Sequence, residues 1–231
     1  MNIRSFTRSY AGGELTPELH ARLDLAKHQT GLRTCRNFEV LPHGPVQNRA
    51  GFKYVIETKD STKESILLPF IFSSSQNYAL EFGHQYMRIH TQGGTLLNTA
   101  QNITDISQDN PGVLTYDGAD PANGTWMYLS GIGGMTQLNG RYVKVANVNT
   151  GANTVELTDI HGGGGIDTTN FGLYTSGGTM APVYEIATPY TEADLTSLEL
   201  HYTQSQDVFA LVHPGYAPRE LRRVGATNWT R

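Results

Sequence analysis

The residues best suited to chemistry are few and scattered. Cys35 is the sole cysteine and lies between Arg33 and Arg36, whose charges favour a thiolate and hence a nucleophile. A cysteine nucleophile also needs a histidine and a carboxylate to orient it. No such set is identifiable, and a small packing residue is the simpler reading. The run His161-Gly162-Gly163-Gly164-Gly165 has the glycines of a phosphate cradle. It is followed by Ile166-Asp167 instead of the Lys-Ser/Thr pair that holds phosphate and Mg²⁺, so it reads as a hairpin tip. Gly131-Ile132-Gly133-Gly134-Met135-Thr136 lacks the third glycine and the βαβ setting of a dinucleotide site. Asp117-Gly118-Ala119-Asp120 with Asn123-Gly124 lacks the order and the terminal Glu of a calcium loop and reads as Asx turns. The eight histidines include no His-Glu-x-x-His. No Gly-x-Ser-x-Gly elbow marks a serine. These patterns predict a non-enzymatic protein with no catalytic residues, no metal and no cofactor.

Bulk properties narrow the class further. The 231 residues suffice for one or two domains with a core. Seventeen Lys/Arg against 21 Asp/Glu give a net charge of −4. That balance is not the basic footprint of a phosphate-gripping protein, although it does not exclude a passage through which DNA merely slides. No apolar run approaches the length of a membrane span, so no membrane anchor is expected. One cysteine fits assembly in a reducing cytoplasm.

Composition changes along the chain. Residues 91–180 hold 17 of the 25 glycines, with two Lys/Arg against seven Asp/Glu, a net of −5. This predicts an inserted Gly-rich β domain over 93–180, a small barrel or sandwich, within a discontinuous host domain of 1–92 and 181–231. Inside the insert, strands are expected at Thr125 to Leu129, Arg141 to Val148 and Thr154 to Thr158, the last two joined by the Asn149–Asn153 loop. In the host, Thr16-Pro17-Glu18 reads as a helix start, with Leu19, Leu23 and Ala26 on one face and a Glu18–Arg22 pair. A second short helix is expected from Leu32, ending at Leu41-Pro42-His43-Gly44-Pro45. Strands follow at Val46 to Glu57 and Ser65 to Phe72, then a hairpin from Tyr78 to Ile89 around Gly83-His84-Gln85. Ser75-Gln76-Asn77-Tyr78-Ala79-Leu80 returns as Ser205-Gln206-Asp207-Val208-Phe209-Ala210-Leu211, each within a three-strand unit. Such repetition fits propeller blades or plain antiparallel meanders.

Three stretches together resemble tail tubular, or nozzle, proteins of short-tailed phages and prophages. They are Gly12-Gly13-Glu14-Leu15-Thr16-Pro17, His20-Ala21-Arg22-Leu23-Asp24-Leu25, and the run from Arg33-Thr34-Cys35-Arg36-Asn37-Phe38 through Gly44-Pro45-Val46-Gln47-Asn48-Arg49-Ala50-Gly51-Phe52. The resemblance covers residues 3–92 and 183–225. It implies a mostly β chain with an N-terminal helical segment and partial propeller-like sheets. It also implies a longer chain than this one, which would then be a fragment, a split gene or a remnant. Such a chain assembles with itself as a six-fold ring, beside other tail and adaptor proteins, with DNA as passing cargo. The location implied is the virion tail, reached from the bacterial host cytoplasm during assembly. The assembly residues expected are Arg33, Arg36, Asn37, Arg49 and Gly51. Arginines would supply paired contacts and Gly51 backbone room.

The insert is similar to the first catalytic-cysteine half-domain of ubiquitin-activating enzymes. The match runs through Gly134-Met135-Thr136-Gln137-Leu138-Asn139-Gly140, Val143-Lys144-Val145, Val155-Glu156-Leu157 and Asp167 to Tyr174. It brings no activity with it, because the adenylation domain and the catalytic-cysteine segment have no counterpart here. Two other classes remain beside the structural one. The aromatics Trp126, Tyr128, Tyr142, Phe171 and Tyr174 could form a carbohydrate- or host-surface-binding face. An enzyme, ubiquitin-related or cell-wall-directed, would need convergent carboxylates.

Overall fold

The computed structural model describes residues 7–73, 76–162, 164–197 and 199–230. Ser75 and Gly163, named in the sequence analysis, lie outside the described residues. The chain divides into two compact units, Met1–Tyr54 and Val55–Arg231.

The second unit is built from alternating strands and holds two apolar cores. In the Asn77–Gly83 and Tyr86–Thr91 hairpin, Leu80 faces Ile89 and Phe82 faces Met87 across the ladder. Period-two alternation sends these four to one side and Glu81, Arg88, Tyr86 and His90 to the other. Ile66–Ile71 and Glu185–Ala187 flank the hairpin, and Gly94–Thr95 adds a short pairing, giving a five-stranded antiparallel sheet. A second sheet is a four-stranded meander of His201–Ser205, Val208–His213, Tyr216–Gly225 and Asn228–Thr230. The two sheets share one core. Trp229 stands edge-on to Phe70 and Tyr78, at 4.9 and 5.4 Å between ring centroids, and locks them together. A one-turn helix, Glu192–Thr196, adds Leu195 to that core, and the Asp194 carboxylate accepts hydrogen bonds from the Thr191 N–H and hydroxyl at its start.

The other core is a closed antiparallel barrel of six strands. Around the barrel the order is Val113–Asp117, Thr154–Thr158, Tyr142–Asn149, Trp126–Ser130, Thr179–Pro182 and Gln101–Ile106. Of the two architectures the sequence left open, the barrel is the one formed. Closure leaves no free edge. Leu114, Met127, Leu129, Val143 and Leu157 fill its interior. Glycine is required at Gly134, where φ is +79° and any Cβ would collide with the Leu173 carbonyl.

The expected N-terminal helices do not form. Thr16 makes no side-chain cap, and the chain makes two 3₁₀ turns, Pro17–Leu19 and Ala26–Gln29. Helices this short need a surface to pack on, and Leu23, on the face meant to be buried, is 74% exposed. Arg22 pairs with Asp24, not Glu18. In place of the second helix, Gly31–Leu32 pairs in parallel with Gly13–Glu14, and Phe38–Val40 forms a hairpin with Val46–Asn48. Asn37 has φ +60°, a conformation that cannot continue a right-handed helix. Regular pairing ends at Asn48, short of the strand expected as far as Glu57.

Leu129 is fully buried in the barrel. Leu129→Ala is expected to cost about 2–5 kcal/mol. Denaturant unfolding checks the loss, and hydrogen exchange should place the acceleration in the barrel strands.

Candidate assembly surface and buried polar joint

The first unit gathers the residues expected to act in assembly, and it buries almost nothing. Among its described residues only Gly44 is buried. Gly44 sits at φ +104° against Ser9, where a Cβ would collide with the serine hydroxyl. Backbone bonds hold the unit together: Tyr10 N–H to the Gly44 carbonyl at 2.7 Å, and Leu15 N–H to the Leu32 carbonyl at 2.9 Å. Asn37 and Arg49 are brought together. The Arg49 backbone N–H donates to the Asn37 carbonyl at 3.0 Å and its Nε to Asn37 Oδ1 at 3.2 Å. The same guanidinium lies 4.4 Å from the centre of the Phe52 ring. Arg33 lies apart, lining a shallow depression with Leu15, His20, Ala21, His28 and Gly31. Arg33 and Arg36 are exposed and have no ion pair among the described residues. Among the described residues nothing lies within 4 Å of a Cβ placed at Gly51. Cys35 is half-buried, its N–H donating to Glu14 at 2.7 Å. Phe38, Phe52 and Tyr54 are exposed.

The second unit contains a buried ionic cluster that motif reading did not find. It occupies the polar face of the Asn77–Thr91 hairpin. Glu81, 3% exposed, accepts hydrogen bonds from the Tyr86 hydroxyl at 2.6 Å and from His90 Nε2 at 2.9 Å. A carboxylate partner makes Nε2 the protonated nitrogen, and His90 Nδ1 lies 3.0 Å from the Thr95 hydroxyl. Arg88, 1% exposed, donates from Nε to Glu185 at 3.2 Å, and Lys59 pairs with the other oxygen of the same carboxylate. The Arg88 guanidinium stacks 4.2 Å from the centre of the Trp126 ring. Trp126 opens a barrel strand, so this contact joins barrel to sheet. The two buried charges, Glu81 and Arg88, thus each have hydrogen-bonding partners, as burial of a charge requires.

Burial opposes ionisation of Glu81, but hydrogen bonds from His90 and Tyr86, with the charges of His90 and Arg88, outweigh it and hold its pKa below the ordinary glutamate value. Burial and the Glu81 carboxylate push the Tyr86 phenol far above its ordinary value, so it stays a donor. Thr95, His90 and Glu81 form a hydroxyl–imidazole–carboxylate chain, the order found in nucleophile relays. Thr95 is buried and is not among the residues lining the adjacent cleft of about 230 Å³, which Lys59, Arg88, Asn123, Trp126 and Glu185 help to form. These hydrogen bonds tie the two strands of the hairpin to the Gly94–Thr95 pairing.

The aromatics named in the insert all make contacts within the second unit. Trp126 lies under Arg88, Tyr128 and Tyr142 contact each other at 5.0 Å, and Phe171 and Tyr174 pack against the barrel core. The loop at Asp117 to Asn123 is held in part by the Tyr116 hydroxyl, which donates to Asp120 at 2.6 Å.

Compared with known proteins, the chain matches no family model and no curated protein sequence.

Glu81→Gln is expected to destabilise the fold by about 1–3 kcal/mol at neutral pH, the usual cost of weakening hydrogen bonds to a buried charge. Because the folded pKa of Glu81 is lowered, its stabilising effect is present above the ordinary glutamate value of 4.5 and is lost as pH falls through the folded pKa. The gap between wild type and variant should therefore close below that value. Denaturant midpoints measured across the acid range check this.

Proposed function

We propose that this chain is a non-enzymatic structural part of a short-tailed phage or prophage tail tube, contributing to the wall of a DNA conduit. The observation that carries the reading is the exposure of the N-terminal unit. Its described residues leave Phe52 91% exposed, with Leu23 and Tyr54 close behind, and bury only Gly44. Covering one such side chain is worth about 1.5–3 kcal/mol. A unit of this size without a core gains its stability from a neighbour. The three stretches that carry the nozzle resemblance, Gly12 to Pro17, His20 to Leu25 and Arg33 to Phe52, all lie in this unit.

In this reading the N-terminal unit docks on neighbouring subunits of a ring. The two packed meanders serve as blade-like wall elements of a partial propeller. The inserted barrel, kin to the half-domain of ubiquitin-activating enzymes in ancestry only, decorates the wall. Partners are further copies of the chain and adjoining tail and adaptor proteins. DNA passes without being gripped, which fits the net charge of −4.

Arg36→Ala combined with Arg49→Ala should reduce a ring to its protomers, read as solution mass by light scattering. Thermal unfolding of the second unit should be unchanged. Intact rings in the double variant would refute this role for the N-terminal unit.

A further inference from the structure

The two units carry opposite charge. Met1–Tyr54 has eight Lys/Arg against four Asp/Glu, a net of +4, and Val55–Arg231 has nine against 17, a net of −8. The charges are also unspent. Among the described residues of the first unit, Arg22 alone has a carboxylate partner. Within 91–180, none of the seven acidic side chains has a Lys, Arg or His partner among the described residues.

One part of the barrel joins exposed acid to exposed apolar surface. The Gln108 side chain donates to the Phe171 carbonyl, and the Asp109 N–H donates to the Thr168 hydroxyl at 3.0 Å. These bonds tie the 107–112 loop to the 165–173 loop. The tied loops present Asp109 and Asp167, both exposed, together with Leu173, which is 69% exposed. The N-terminal unit presents the converse: exposed Arg33 and Arg36 with exposed Phe38 and Phe52.

We infer that the N-terminal unit of one copy docks on these barrel loops of a second copy. This inference rests on the assembly reading above and names its contact surface. Arg33 and Arg36 meet Asp109 and Asp167 while Leu173 and the phenylalanines exclude water, so charge sets the pairing and apolar contact holds it. The barrel is then a subunit-joining element as well as a decoration.

Charge exchange tests this in the full chain. One variant carries Arg33→Glu and Arg36→Glu, and the other carries Asp109→Lys and Asp167→Lys. Each alone sets like charges against each other and should weaken self-association at least about tenfold. An equimolar mixture should recover assembled mass, because each variant then offers the other a complementary face. Recovery on mixing also shows that both variants are folded. Wild-type association should fall as salt rises. If wild type assembles but the reversals change nothing, or mixing fails to restore mass, the proposed contact is wrong while the ring reading stands. A wild-type chain that stays monomeric at every concentration overturns both.

Discussion

The hairpin of Asn77–Gly83 and Tyr86–Thr91 is two-faced, and the rest of the second unit is arranged around that constraint. Strand alternation gives one face Leu80, Phe82, Met87 and Ile89, which must be covered by something apolar. The second meander covers it through Phe209, Leu211, Leu221 and Trp229. The other face carries Glu81, Arg88, Tyr86 and His90, which can be buried only if every charge finds a partner. Lys59, Glu185 and the Trp126 ring supply the partners. One hairpin thus dictates both an apolar layer and an ionic joint, and the joint fixes where the barrel attaches.

Gln204 shows how the same unit manages a sheet edge. The Ile71 N–H donates to Gln204 Oε1 at 3.0 Å, and Gln204 Nε2 donates to the Ile71 carbonyl at 2.7 Å. Its amide therefore satisfies an outward-facing peptide of the edge strand. Pro69 lies two residues earlier, on the same side by alternation, and has no N–H to leave unpaired. An edge blunted in this way is poorly suited to strand addition.

Local patterns made the β elements legible. The Tyr78 to Ile89 hairpin followed from alternation and its Gly83 turn, and three of the six barrel strands, Trp126–Ser130, Tyr142–Asn149 and Thr154–Thr158, from short apolar alternation between Gly and Asn turns. The N-terminal helices were misread because Thr-Pro-Glu is a local signal, whereas keeping a short helix requires a surface that Leu23 does not find. The ionic joint has no local sequence signature for a related reason. Glu81, Arg88 and His90 alternate with apolar neighbours as solvent-facing residues do. Glu81 and Arg88 are buried and His90 nearly so, because the barrel and Glu185, about a hundred residues further along, close over this face. No spacing within the hairpin encodes that cover.

The central claim is that residues 7–54 draw their stability from a neighbouring copy. Hydrogen exchange across this segment, followed as protein concentration rises from dilute monomer to assembled material, tests it most directly. The account predicts near-complete exchange in the dilute chain, with protection appearing only as assembly proceeds. Strong protection of the segment at concentrations where the chain is monomeric would contradict it.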